Sequence, residues 1–586
     1  MMIVTNNRRE KKEKNTADWR LKALMVFPFI AFVVVTLKLC DIQVFKGSYY
    51  EALAEGQSKI FQDLIPNRGE ILVKDKYSEV SYPLAANHKL YMVYASPKHV
   101  KEPAKAALAL ASILEVEEKE LLEKLDKKDD PYEPLKKELS EEKKQEVEKL
   151  ELEGIYFQEE NYRYYPENSL AAHVIGFVGF ADNERRGVYG VEGYYEEELA
   201  GKKGYLESDR DALGRFISVG QKFVDEAEDG QDIVLTIDRT IQFKVEKLLK
   251  EGVEKFGAEN GTVIIMEPYS GAIIAMANYP NYNPNEYAKQ EDVNIFSNAA
   301  IYDLYEPGSA FKPIIMAGAL NDGLVGATTT IEDGGSIKVG EYTIYNSDRQ
   351  GSGTITMTQV LEKSSNVGMV QVAQMMGTDR VYDYIERFGF SGLTGIDLLS
   401  EASASITDKE LWSESDLATA SFGQGTVTIT PLQLVTAYAA IANGGNLVQP
   451  HVVEKFINNN GQEKYVETKQ IRQVISPSTA ATLSAMMVSV VSNGFGGSVK
   501  IPGYKIAGKT GTAQVPREDG PGYDSGKKIT SFAGFGPIDD PKFVMLVKFD
   551  NPGGEVWGVT TAAPIFKEIT LEMMKYYQIA PTEETN

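Results

Sequence analysis

Ser309-Ala310-Phe311-Lys312, Ser364-Ser365-Asn366 and Lys509-Thr510-Gly511 stand in that order in the second half of a 586-residue chain, 55 and 145 residues apart. A serine three residues before a lysine pairs a nucleophile with a base, a Ser/Asn pair offers a relay and an amide, and Lys-Thr-Gly offers a cation beside a hydroxyl. These are the parts of an acyl-transfer site that needs neither histidine nor metal. Each string is weak alone, since Ser-x-x-Lys recurs at Ser140 to Lys143 and at Ser525 to Lys528. The order of the three carries the signal.

The flanks predict how the first string is held. Tyr305-Glu306-Pro307-Gly308 precede it and Pro313 follows Lys312. A helix beginning at about Ser309 puts Pro313 among the first amides, which lack intrahelical acceptors, so the proline costs no hydrogen bond. The serine then sits at the positive end of the helix, where an oxyanion is favoured, and the i, i+3 spacing brings the lysine to the same face. A lysine desolvated in such a cleft is neutral enough to take a proton.

Competing chemistries fit less well. The four histidines, His88, His99, His173 and His451, lie away from these strings, which disfavours a Ser-His-Asp hydrolase. No His-Glu-x-x-His occurs, and the only cysteine, Cys40, adjoins an apolar run, so neither a metal nor a cofactor is expected. Gly503-Tyr504-Lys505-Ile506-Ala507-Gly508-Lys509-Thr510 satisfies the phosphate-binding pattern G-x-x-x-x-G-K-[ST] letter for letter. That loop must open a helix, however, whereas Gly511-Thr512-Ala513-Gln514-Val515-Pro516 reads as extended. Two apolar strands follow, Ile529 to Phe535 and Phe543 to Phe549, which makes a meander.

The rest of the second half supplies matching elements. Thr262 to Glu267 and Ala272 to Ala277 read as an antiparallel hairpin around Tyr269-Ser270-Gly271. Phe422-Gly423-Gln424-Gly425 reads either as a loop near the site or as an ordinary turn before a helix starting at Thr430-Pro431. Upstream, Lys101 to Gly154 reads as charged amphipathic helices with a solvated face, flanked by extended segments at Lys89 to Tyr94 and Gly204 to Leu206.

The N-terminus predicts export. Seven Lys and Arg among the first 22 residues precede an apolar run from Ala23 to Leu37, which keeps that end in the cytoplasm and sends the rest outward. A span over 23–40 needs Lys38 to snorkel, and a cleaved signal peptide is the competing reading. We favour retention, because no small-residue cleavage site follows Lys38. The length calls for at least two domains beyond the anchor, and a net charge of −23 offers no basic patch for nucleic acid.

These strings, with Arg68-Gly69-Glu70-Ile71, Arg163-Tyr164-Tyr165-Pro166, Gly190-Val191-Glu192 and Ala562-Ala563-Pro564-Ile565-Phe566, make the chain resemble the class B, monofunctional penicillin-binding proteins. The resemblance implies a multidomain α+β protein: cytoplasmic tail 1–22, transmembrane anchor 23–40, elongated pedestal or dimerisation domain 41–232, transpeptidase domain 233–575 with an antiparallel sheet flanked by helices, and tail 576–586. It implies a single-pass membrane protein with an extracellular catalytic domain that cross-links peptidoglycan stem peptides ending in D-Ala-D-Ala and is inhibited by β-lactams. A membrane glycosyltransferase and cell-wall complex proteins are the expected partners. Ser309 is then the nucleophile and Lys312 its base. Ser364 relays protons, Asn366 orients Lys312 and the substrate amide, and Lys509, Thr510, Gly511 and Thr512 anchor the terminal carboxylate along a strand. Amides of Ser309 and Thr512 form the oxyanion hole. Arg68, Arg163 and Glu192 read as an ionic network within the pedestal. Ala310 departs from the family, which commonly has Thr there. A D,D-carboxypeptidase, a β-lactam-hydrolysing enzyme of the same fold, or mainly a scaffold for a cell-wall complex are the alternatives.

Overall fold

Five consecutive apolar residues, Phe543-Val544-Met545-Leu546-Val547, are all fully buried, so the strand that carries them is covered on both faces. It lies at the centre of the larger of two units in the computed structural model. The described residues are 32–33, 36, 59–128, 130–181, 184–209, 223–494, 497–517, 520, 522–554 and 557–581. The expected cytoplasmic tail 1–22, the expected anchor at 23–40 apart from residues 32, 33 and 36, and the last five residues of the expected C-terminal tail lie outside them. Among the described residues no helix is long and apolar enough to cross a membrane.

The larger unit comprises Asn67–Gly201 and Asp229–Asn586. Its catalytic half runs through α1 (Arg239–Phe256), β1 (Asn260–Met266), β2 (Ile273–Tyr279), α2 (Lys312–Asn321), α3 (Asn366–Met376), α4 (Pro431–Ala442), α5 (Pro477–Asn493), β3 (Ala507–Pro516), β4 (Tyr523–Gly536), β5 (Phe543–Asp550) and α6 (Ala562–Tyr576). The strands form one antiparallel sheet in the order β2-β1-β5-β4-β3. Side chains alternate between its faces. Val263, Ile265, Met545 and Val547 pack with Ile241, Val245, Ile565 and Phe566 of α1 and α6. Ile264, Met266, Val544 and Leu546 share the main core with α2, α4 and α5. α4 is apolar on all sides and buried from Pro431 to Ile441, as a central helix must be. It starts at the expected place, with Thr430 and Gln433 forming a reciprocal cap.

Lys509, Thr510 and Gly511 lie inside β3, paired with Ala533, Phe532 and Ser531 of β4. The glycine-lysine string therefore continues a strand and opens no helix, which removes the phosphate-loop reading. The described pairing leaves β3 at the edge of the sheet.

The remainder of this unit is a mixed sheet in the order Glu463–Tyr465, Val453–Ile457, Asp232–Asp238, Ile71–Lys74, Ser81–Ala95, Glu133–Leu139, with Ile155–Tyr164 also pairing Ser81–Ala95. Among the described residues of Lys101 to Gly154 three segments are helical: Pro103–Leu114, Glu118–Leu125 and Glu141–Glu148. The expectation of helices throughout is corrected at Glu133–Leu139, a strand beside Tyr91–Ala95. Pro131 and Pro134 remove amide donors there, and a proline is tolerated on such an outer strand.

Below these strands Glu192, fully buried, accepts hydrogen bonds from Arg68 Nε (2.7 Å) and Arg163 Nε (2.6 Å). Arg163 also donates to the Gly69 carbonyl (2.8 Å). Burial raises the Glu192 carboxyl's proton affinity, but the two guanidinium charges outweigh it and leave its pKa below the ordinary value. This is the ionic network expected of Arg68, Arg163 and Glu192.

The smaller unit, Met1–Pro66 with Lys202–Glu228, contains a three-stranded antiparallel sheet of Lys59–Leu64, Gly204–Asp209 and Phe223–Asp225, with the second strand in the middle.

Candidate active site

Ser309 lies in a tight turn, Gly308–Phe311, that runs into α2, with Pro313 in its first turn. Gly308 takes φ +56°, where a side chain is disfavoured, and a Cβ there would stand 3.0 Å from the Thr512 carbonyl. Three contacts fix the turn. Gly308 N donates to the Gly423 carbonyl (2.9 Å), Tyr438 of α4 donates to the Ala310 carbonyl (2.6 Å), and Tyr305 exchanges backbone bonds with Ile429. The Gly423-Gln424-Gly425 loop thus touches the nucleophile turn, which decides between the two readings of that loop.

Ser364 adopts φ +54°, a left-handed conformation costing on the order of 1–3 kcal/mol for a residue other than glycine. Its neighbour Ser365 caps α3 by accepting from Gly368 N (2.9 Å). Asn366 begins α3 and donates its amide to the Tyr345 carbonyl (2.9 Å).

These elements bring the polar groups to one point. Lys312 Nζ donates to the Ser364 carbonyl (2.6 Å), Ser364 Oγ (3.2 Å) and Asn366 Oδ1 (2.8 Å). Lys509 Nζ reaches the same Ser364 Oγ (3.0 Å) from β3. Ser364 Oγ in turn donates to Ser309 Oγ (3.0 Å). Among the described residues the hydrogen-bonded path from Ser309 to Lys312 runs through Ser364, a longer route than i, i+3 spacing alone implies.

Both lysines are fully buried beside one another. Burial first, then the Lys509 charge, hold Lys312 well below the usual lysine range, with Asp333 opposing. Burial alone lowers Lys509 to about 7. An amine lowered in this way gives up its proton more readily than a surface lysine does. With one of them neutral, the same contacts carry a proton from Ser309 through Ser364 to that amine.

β3 supplies the other wall. Thr510 Oγ1 lies 3.4 Å from Lys509 Nζ, and Thr512 Oγ1 accepts from Gly558 N (3.1 Å). A Cβ on Gly511 would overlap Ser531 Oγ and stand 2.9 Å from the Pro307 carbonyl, so the strand passes the nucleophile turn at backbone distance. Ala310 is fully buried, its methyl facing this crossing.

Two buried carboxylates escaped sequence reasoning. Glu306 accepts from Gly425 N (3.0 Å), Gln424 Nε2 (3.2 Å) and Tyr523 Oη (3.1 Å), tying the loop and β4 to the turn before Ser309. Burial raises its pKa. Asp333 accepts from Gly335 N (2.9 Å), Asn346 Nδ2 (2.8 Å) and Ser365 Oγ (2.8 Å). Glu306 adjoins the first string and was readable as a neighbour of Ser309. Asp333 and Asn346 stand in no string whose spacing is chemical.

A serine and two buried lysines, joined through a second serine beside an edge strand, define a histidine-free serine acyltransferase. Residues 261–571 match the penicillin binding protein transpeptidase domain and residues 63–235 the penicillin-binding protein dimerisation domain. The chain is 33% identical over 578 residues to stage V sporulation protein D of Bacillus subtilis, covering 97% of this chain and 87% of that protein. It is 29% identical to the peptidoglycan D,D-transpeptidase FtsI of Escherichia coli K12, covering 98% of this chain and 94% of the other. Penicillin binding protein 3 of Mycobacterium tuberculosis, solved with aztreonam, superimposes with a TM-score of 0.68 at 25% identity, covering 89% of this chain and 99% of that one. The chain belongs to the class B penicillin-binding proteins.

Proposed function

We propose that this chain is a peptidoglycan D,D-transpeptidase working through an acyl-enzyme on Ser309. The observation that carries the reading is the meeting of Lys312, Lys509 and Ser309 on the single hydroxyl of Ser364. Ser309 Oγ attacks the carbonyl of the penultimate D-alanine while its proton passes through Ser364 to the neutral lysine. The tetrahedral oxyanion lies between the amides of Ser309 and Thr512, an arrangement typically worth about 3–4 kcal/mol of barrier. As the C–N bond breaks, the stored proton returns through Ser364 to the departing D-alanine amine, leaving an ester. An amine of a neighbouring stem attacks that ester, forms the cross-link and restores the Ser309 hydroxyl.

The donor peptide lies along the free edge of β3, adding backbone hydrogen bonds to the sheet, with Thr510 and Thr512 at its terminal carboxylate and Lys509 supplying positive charge. A β-lactam enters the same geometry, and its ring carbonyl acylates Ser309. Residues 23–40 anchor the protein with its N-terminus in the cytoplasm, the pedestal 41–232 carries the transpeptidase domain 233–575 outside, and a membrane glycosyltransferase supplies the glycan strands.

Intact-protein mass spectrometry after incubation with benzylpenicillin tests the assignment. One adduct of the mass of the drug is expected on the wild type and none on Ser309→Ala. An unmodified wild type, or an adduct that persists in Ser309→Ala, rejects it.

A further inference from the structure

Behind the Ser364-Ser365-Asn366 turn, on the side away from Ser309, lies a polar cluster that the acyl-transfer scheme does not use. Asp333 ends the short strand Thr330–Asp333 and is 1% exposed. One carboxylate oxygen accepts from Ser365 Oγ and Asn346 Nδ2, the other from Gly335 N and Asn346 Nδ2. Asn346 in turn accepts from Val367 N (3.1 Å) and from Ser365 Oγ (3.3 Å). Three of these bonds, from Ser365 Oγ to Asp333 and Asn346 and from Val367 N to Asn346, hold the residues that follow Ser364, in the cap of α3 and its first turn; the others join Asp333, Gly335 and Asn346 to one another.

Two properties of the site need such a cluster. Ser364 keeps a left-handed backbone that a serine does not choose by itself, and such a conformation persists only where its surroundings over-determine it. Lys312 and Lys509 also share a dry pocket as like charges. The charged groups facing Lys312 are Lys509 from β3 and Asp333 from the strand behind the turn. The turn itself presents neutral Ser364 and Asn366, α5 carries no charged residue, and the neighbouring helix Thr378–Arg387 keeps Arg380 beside Asp322 at the far end of α2. Asp333 makes no hydrogen bond to either lysine, so it acts on them through the turn and through space.

We propose that Asp333, clamped by Asn346, is a positioning residue for acylation: it locks the turn that aims Ser364 between Ser309 and the two lysines, and it is the buried counter-charge of Lys312. The inference rests on the acyl-transfer reading of the site, and acylation of the wild type by benzylpenicillin tests that reading separately.

The sign of the electrostatic part follows from the charges. A carboxylate stabilises protonated Lys312, so its removal makes the amine easier to deprotonate. The base is active when neutral, and the acid limb of the acylation rate then moves to lower pH. The test is the second-order acylation rate constant of the full-length protein with benzylpenicillin between pH 5 and 9, for wild type, Asp333→Asn and Asn346→Ala. Asp333→Asn keeps the shape and removes the charge. Its limb is expected to fall by about half a pH unit or more, with a plateau about tenfold lower. Asn346→Ala keeps the charge and loosens the clamp, so its plateau drops by a similar factor while the limb stays in place. An unmoved or raised limb in folded Asp333→Asn overturns the counter-charge. Wild-type acylation by Asn346→Ala overturns the clamp, whether or not Asp333→Asn folds. Absence of acylation in the wild type would fail the function assigned to the site instead.

Discussion

Two buried cationic clusters in this chain are built in opposite ways. In the region that matches the dimerisation domain, Arg68 and Arg163 sit directly on the carboxylate of Glu192, and the positive charges are met by a negative one at hydrogen-bond distance. In the catalytic half, Lys312 and Lys509 bond only to hydroxyl, amide and carbonyl oxygens, and the nearest carboxylate stands behind a turn. The first arrangement holds every proton in place. The second leaves two amines whose proton affinity lies below the usual lysine range. The residue types agree with this division, because a guanidinium stays charged in any protein environment and an ammonium does not. A buried cation paired directly with an acid reads as architecture, and one left among neutral acceptors reads as chemistry.

The comparison breaks first if Lys312 proves dispensable. Lys312→Met should lower the benzylpenicillin acylation rate by about 10²–10⁴-fold, the range of a lost general base, while the thermal midpoint stays at or above that of the wild type because a buried charge has been removed. Acylation within threefold of wild type would mean that Lys509 alone serves as base. Glu192→Gln tests the opposite cluster. Removing the carboxylate takes from the buried Arg163 its ion pair and leaves Arg68 with Glu196 alone, and should cost about 3–5 kcal/mol in denaturant unfolding, with acylation per folded molecule nearly unchanged. A stable Glu192→Gln protein that no longer acylates would put the pedestal network into the reaction.

The smallest effect sharpens the contrast through pH. Lys509 has a folded pKa of about 7, below the ordinary lysine value of 10.5, so above pH 7 the unfolded chain binds the extra proton. Stability should therefore rise with pH between 7 and 10.5 on account of this group, by at most about 1.4 kcal/mol per pH unit. Subtracting the urea-unfolding profile of Lys509→Met from that of the wild type over pH 7–9 isolates the slope. A flat difference would show that Lys509 is as well solvated as a surface lysine.

The catalytic side chains were legible because each sits inside a short string whose spacing is chemical, as Ser309 and Lys312 do within one helical turn. Lys509 needed one structural inference, that Gly511 through Pro516 cannot open a helix, and β3 follows it. Asp333 was illegible for a physical reason. An acidic pair before two glycines has the composition of a turn, and the meaning of Asp333 appears only when the chain folds Asn346 and Ser365, 13 and 32 residues away, onto it. The strand Glu133–Leu139 was missed because local charge and leucine spacing outweighed Pro131 and Pro134, although two prolines three positions apart are hard to reconcile with a continuous helix.

Gly511 carries a consequence for how this protein can change under a drug. Every replacement of that glycine brings a Cβ into the space of Ser531 Oγ and toward the Pro307 carbonyl, forcing apart the strand that presents the substrate and the turn that presents the nucleophile. On the proposed reading, in which stem peptide and drug use the same edge, a change at this position weakens both together. Mutational escape is pushed outward to side chains that solvent already reaches, such as Tyr345, whose carbonyl holds Asn366, and Trp557, next to the amide that holds Thr512.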